Sequence, residues 1–259
     1  MQALLDGVTV AMSVMAAALP VFLLAVVPGE GRLGGAGGGT TVMTVRGRAG
    51  SVEKRLLAGR LRGPCCGGVL APWGWARRRV VAMFAGPEEF CPRRSRCRRC
   101  GRTHVLLPAD LWSRRRYGAV VVMTVLVLAA AAAAAGRAAA RPWLAGPDGG
   151  RWQVPASTAR SWRSRFSGRA GTLRQALMGV LPLADPLARP FAPAGSPAGD
   201  CLAALEAVRA GLARRFPQLA AVTAHEVAAH LTGGLWLAPA VPAVRLNTTL
   251  LAADAVLPS

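Results

Sequence analysis

Five of the six cysteines, Cys65, Cys66, Cys91, Cys97 and Cys100, fall within one 36-residue stretch among arginines, while Cys201 stands alone. A disulfide framework would spread its cysteines along a small secreted chain, so this clustering suits a metal site in a reducing compartment. Cys97-Arg-Arg-Cys100-Gly101 is a CxxC knuckle. Its two thiolates can reach one ion, and the glycine that follows can take the left-handed conformation that turns backbone N–H groups toward sulfur. Tetrahedral Zn2+ takes four ligands, so a second pair is expected upstream. Cys66-Gly67-Gly68 repeats the Cys-Gly ending, but three positions before Cys66 stands Gly63. Cys66, Cys97 and Cys100 are the candidate Zn2+ ligands on spacing alone.

Other residues only imitate chemistry. His225 and His230 are five apart, which sets them about 140° from each other around a helix and prevents the shared ligation of a zinc-protease helix. A transposase or integrase needs three carboxylates converging on divalent metal. Residues 60–174 hold four acids, two of them the adjacent Glu88 and Glu89. No phosphate-cradling or dinucleotide glycine motif occurs, Cys201 has no histidine nearby in sequence, and His104 could ligate but stands in a strand-like THVLL where a histidine is expected to pack or to face solvent. The expectation is a non-catalytic protein with no evident small-molecule substrate.

The elements that must position the cysteines read as strands around Arg79–Met83 and Thr103–Leu107, a zinc-ribbon-like hairpin. After Pro108, the apolar run 118–135 predicts a helix, Arg137–Arg141 a second short one, and Pro155-Ala-Ser-Thr158 opens a third through Phe166. On that third helix Trp162 and Phe166 share one face. Ser157, Thr158, Arg160, Ser161, Arg163, Ser164 and Arg165 occupy the remainder, with arginine for guanine edges or phosphate and hydroxyls for phosphate at the first turn. These seven are the candidate DNA-binding residues. Gly146–Trp152 makes the connection longer than the compact turn of a helix-turn-helix.

The segments GPCCGG (63–68), Trp73-Gly-Trp-Ala-Arg77, CRRCGRTHVLLP (97–108), STARSWRSRF (157–166) and LTGGLWLAP (231–239), after an opening helix at 52–62, resemble an uncharacterised actinobacterial family with a Cys-rich region and a helix-turn-helix, often labelled transposase-like. The resemblance covers residues 52 to about 250 and implies DNA association without a defined reaction. In its pattern the first cysteine aligns with Gly63, so the fourth ligand is missing unless Cys65 or Cys91 substitutes; the other reading is a ribbon that has lost its zinc and survives on its hydrophobic contacts. Cys65 is the preferred substitute.

Charge agrees on where a polyanion would bind. The 259 residues carry 32 Lys plus Arg against 12 Asp plus Glu, a net +20 with pI near 11.7. Residues 60–117 contribute +11 and 118–174 another +7, whereas 175–259 are neutral. All but Lys54 of this charge is guanidinium, which forks onto phosphate. A GC-rich genome also yields arginine, so position matters more than the total. The uncharged run 8–27 is long enough to cross a bilayer, and 118–135 nearly so. The competing class is an inner-membrane protein anchored by residues 8–27, alone or with 118–135, that carries a basic cytoplasmic Cys-rich domain. Alanine tracts insert weakly, and a buried soluble helix explains 118–135 at least as well.

The predicted organisation is residues 1–51 as an apolar segment and Gly-rich linker, 52–108 as the zinc-ribbon-like module, 109–174 as the helix-turn-helix-like unit, and 175–259 as a Pro-rich linker with C-terminal helices. In these last helices Leu202, Leu205, Val208 and Leu212 form a stripe for packing or a homodimer, with Arg209 at its edge. The expected fold class is mainly α with a small β module and a helix-turn-helix-like three-helix unit. The expected function is duplex-DNA binding at the nucleoid in the cytoplasm, as a regulator or the recognition part of a mobile-element system.

Overall fold

Strand alternation and one short amphipathic helix build the first half of the molecule. The computed structural model describes residues 41–47, 49–64, 66–112, 116–188 and 191–237; the run 8–27, Cys65 and most of the Gly-rich stretch lie outside them. One mixed sheet has the order β1-β6-β5-β2, from β1 (Thr41–Val45), β2 (Leu70–Trp75), β5 (Arg93–Cys97) and β6 (Thr103–Pro108). The central β6 runs parallel to β1, with Val42 opposite Val105, and antiparallel to β5, with Arg94 opposite Val105. β5 pairs with β2 from Leu70 opposite Cys97 outward. Helix α1 (Ala49–Leu57) lays Val52 and Leu56 on Met43, Val45, Leu61, Leu70, Cys97 and Leu106 to close a small core. A separate hairpin, β3 (Arg79–Met83) with β4 (Gly86–Phe90), is inserted between β2 and β5.

The second half is helical. Helix α2 (Ala119–Ala134) is apolar all round; its first half is internal and buries Val121, Val122, Val125 and Leu126, while Val127, Ala131, Ala133 and Ala134 are exposed. On it pack α3 (Ala156–Ser167), α5 (Pro197–Arg215) and α6 (Ala224–Thr232), while α4 (Ala170–Ala184) packs against α5, with Trp162, Phe166, Leu173, Leu177, Leu205, Val208 and Val227 in one shared core. Local signals start the last two helices. Ser196 accepts the Gly199 N–H at 3.1 Å ahead of α5, with Pro197 at its first position, and Thr223 and Glu226 form a reciprocal capping box on α6. Leu205, Val208 and Leu212 of the expected stripe are buried and Leu202 half-buried within the chain's own core, while Arg209 reaches Glu206 at 2.8 Å.

Three expectations change. The described residues are 44% helix and 23% strand with a four-stranded mixed sheet, so the fold is mixed α/β and not mainly α with a small β module. The physical reason is pairing: β1 and β2 flank a strand pair that alone would have been a small ribbon. β1 comes from within the expected linker, where Thr-Val-Met-Thr-Val is β-branched enough to pair once β6 offers an edge. The helix expected at Arg137–Arg141 does not form. A short hairpin, β7 (Trp143–Ala145) with β8 (Arg151–Gln153), separates α2 from α3, and Arg141 instead donates to the Val154 carbonyl at 3.0 Å. The three-helix helix-turn-helix arrangement is therefore absent from residues 119–167.

Candidate metal centre and arginine surface

Two turns of the same construction face each other at the end of the β2–β5 pair. In the downstream turn the Cys97 N–H donates to Arg102 O at 2.8 Å and the Gly101 N–H to Cys97 O at 2.9 Å, with Gly101 at φ +70°. In the upstream turn the Gly63 N–H donates to Gly68 O at 2.8 Å and the Gly67 N–H to Gly63 O at 2.9 Å, with Gly67 at φ +67°. The left-handed glycine after each Cys is what the Cys-Gly endings required. Pairing of Leu70 with Cys97, together with the Arg98 N–H donating to Val69 O at 2.9 Å, brings the turns together.

The result is a thiol triad. The Sγ atoms of Cys66, Cys97 and Cys100 all lie within 4.8 Å of one another, with Cys66 and Cys97 3.3 Å apart. Zn–S bonds of about 2.3 Å give a tetrahedron with edges of about 3.8 Å, so the triad has the size of one face of a metal–thiolate tetrahedron. The three thiols could hold a metal ion, and soft donors of this kind suit zinc or another soft ion. Arg99 and Arg96 donate to the carbonyls of Cys66 and Gly101, each at 3.2 Å, which ties a guanidinium to each turn and places positive charge beside the sulfurs.

The fourth ligand is not among the remaining candidates that can be seen. Cys65 lies outside the described residues. Cys91 is exposed and its thiol donates to the Ala76 carbonyl at 3.3 Å, apart from the triad. His104 is buried on β6 with Nδ1 2.7 Å from Thr41 Oγ1, so it packs in the sheet as expected, and burial together with Arg102 pulls its pKa down. His225 lies 3.2 Å from Asp110 Oδ1 and shares no site with His230. Cys201 is fully buried, which pushes its thiol up to about 12 and leaves it unreactive.

On the module that carries the triad the arginines are outward and largely unneutralised. Arg60, Arg62, Arg77, Arg96, Arg98, Arg99 and Arg102 are exposed and meet no carboxylate among the described residues, while Arg78 pairs with Glu89 and Arg93 with Glu53. Trp73 and Trp75 stand on the edge strand β2 at 55% exposure each, with Arg96 4.7 Å from the Trp73 ring and Arg93 4.4 Å from that of Trp75. The sequence placed this pair only within a family-like segment and gave it no role. The period of two in Trp73-Gly74-Trp75 was the available signal.

The expected DNA-binding residues fall as their spacing required. Helix α3 buries Ala159, Trp162 and Phe166 and leaves Ser157, Arg160, Ser164 and Arg165 exposed, with Thr158, Ser161 and Arg163 half-buried. They belong to a different core from the thiol triad. The motif LTGG closes α6: Gly233 is left-handed at φ +60° and the Gly234 N–H returns to Ala229 O at 2.7 Å, which turns Trp236 inward against Trp112 and Phe166.

No curated protein and no solved structure matches the chain. Residues 63–143, which begin at the first knuckle and run through α2, match a domain of unknown function, DUF6431; the match gives no support to the narrower zinc-ribbon and helix-turn-helix family label.

Proposed function

We propose that the protein is a non-catalytic duplex-DNA-binding protein, a regulator or the recognition part of a mobile-element system, in which Zn2+ on the thiol triad braces an arginine surface. The observation that carries this reading is the set of seven exposed arginines on the thiol-bearing module without a carboxylate partner among the described residues. Holding that much like charge together is unfavourable unless a polyanion or counterions neutralise it. In the neutral C-terminal region, by contrast, Arg209 and Arg214 are both paired, with Glu206 and Asp185. Phosphate contacts from the module would supply affinity, and Arg160, Ser164 and Arg165 of α3, with Ser157, Thr158, Ser161 and Arg163 beside them, would supply contacts to groove edges and backbone.

The deciding experiment is retention of the full chain on duplex DNA across a salt series. Guanidinium–phosphate binding requires log K to fall linearly with log salt, by about 0.9 per phosphate neutralised. An Arg98→Ala/Arg99→Ala/Arg102→Ala variant should lose up to about 2.7 from that slope. Binding that ignores salt, or no binding at low salt, overturns the proposal.

The membrane reading now rests on residues 8–27 alone, since among the described residues no helix is long and apolar enough to cross a membrane. Fractionation of the chain with and without residues 1–40 separates the two classes. The cut has to stop before Thr41 because β1 belongs to the sheet.

A further inference from the structure

Position 63 is built as a ligand position and carries no thiol. The two turns correspond residue for residue: Gly63 takes the place of Cys97, Cys66 that of Cys100, Gly67 that of Gly101 and Gly68 that of Arg102, with the same two hydrogen bonds and the same left-handed glycine. Three of the four equivalent ligand positions hold the cysteines of the triad. The fourth is the buried Gly63, where an added Cβ would stand 3.4 Å from Cys97 Sγ and 3.3 Å from Leu70 Cδ2. A side chain there would therefore start beside the triad. Gly68 has a different reason to be glycine: a Cβ on it would lie 2.8 Å from Cys97 Sγ and 2.6 Å from Arg99 Cβ, so its backbone has to pass close over the sulfurs.

We propose that Cys66, Cys97 and Cys100 hold the metal ion as a three-thiolate centre whose fourth position, on the Gly63 side, is taken by an exchangeable small donor: water at rest, displaced by a small thiolate. This rests on the metal reading above and deepens it. A closed four-cysteine site is saturated, whereas a three-ligand site keeps one position for chemistry from solution. In the exchange the incoming thiol gives its proton to solvent, its sulfur bonds to the ion and the water leaves. A fourth thiolate raises the negative charge on the site, and the Arg99 and Arg96 guanidiniums that bind the two turns offset it. The centre thereby serves as a docking point for small soft ligands as well as a brace.

Co2+ reconstitution of the full chain tests this, because the visible d–d bands of cobalt shift with its donor set. The wild-type protein should show a three-thiolate spectrum that moves toward the four-thiolate form as 2-mercaptoethanol is titrated in. Gly63→Cys should show the four-thiolate spectrum without additive, ignore the thiol, and hold the ion tighter by at least the roughly tenfold that even an outer-shell partner is worth. Cys65→Ser should respond as the wild type does. A wild-type spectrum that is four-thiolate and unresponsive, converted to a responsive one by Cys65→Ser, overturns the proposal while leaving the metal reading intact. Failure of the wild-type chain to take up either Co2+ or Zn2+ overturns the metal reading itself.

Discussion

At the level of single residues, chemistry and packing separate by burial and partner. Cys97 is the buried member of the triad and sits both in the α1-covered core and at the site. Cys97→Ser should abolish metal retention, and the chelator-dependent fall in Tm seen with the wild type should vanish with it, whereas Cys91→Ser should behave as wild type. Ligand linkage sets the size: about 4 kcal/mol at a free-ion concentration a thousandfold above Kd. His104 gives a pH effect of definite sign. Burial and Arg102 hold its pKa below the ordinary value, so the fold favours neutral imidazole. Its contribution is present above the unfolded pKa of about 6.5 and is lost as pH falls from there through the folded pKa. Urea unfolding between pH 5 and 7.5 should lose stability toward acid in the wild type and less so in His104→Gln. The Cys201 thiol, pushed up to about 12, should resist alkylation until the chain unfolds.

At the level of elements, helix ends and close approaches do the positioning. The wedge made by Trp236, Trp112 and Phe166, with ring centroids 6.4 and 5.9 Å apart, depends on the left-handed glycines after α6. Trp236→Ala should cost about 3–5 kcal/mol in chemical unfolding, as large-to-small core changes do. Gly211 lets α5 meet the end of α4: an added Cβ would lie 2.8 Å from Asp185 Cβ and 3.2 Å from the Ala184 carbonyl carbon. Gly211→Ala should therefore destabilise by about 1–3 kcal/mol, although alanine is the better helix former, because backbone cannot move as a flexible side chain would. On α3 the division of faces was readable from spacing alone, since Trp162 and Phe166 are one turn apart. The hairpin that precedes it was not readable, because three-residue strands carry too little alternation to be told from a loop.

Across the whole molecule, charge and connectivity decide what a partner can meet. Of the +18 carried by residues 60–174, +9 resides on residues 60–108 of the sheet module and +3 on α3, while in α5 Arg209 pairs with Glu206 and Arg214 with Asp185. Arg160→Ala/Arg165→Ala should weaken duplex binding with a smaller loss of salt slope than the Arg98/Arg99/Arg102 variant, and discrimination between duplex sequences should fall if α3 reaches base edges. A competition gel against nonspecific DNA measures this. Equal loss on all sequences would place α3 on the phosphate backbone alone.

The metal knuckles, the amphipathic face of α3 and the concentration of charge were all legible in the sequence, because each is set by spacing over a few residues. So was the shortage at Gly63, which needed only the repeat of the Cys-Gly ending. The mixed sheet was not legible: β1 pairs with a strand 63 residues away, and only β6, once folded, gives Thr41–Val45 a partner. Nor was the fate of the late LTGG motif, whose glycines serve the burial of Trp236, or the exposed Trp73–Trp75 edge. Local pattern determines which face of an element is apolar; which element covers that face, and which aromatic is left outside, is decided by contacts far apart in the chain that no local period encodes.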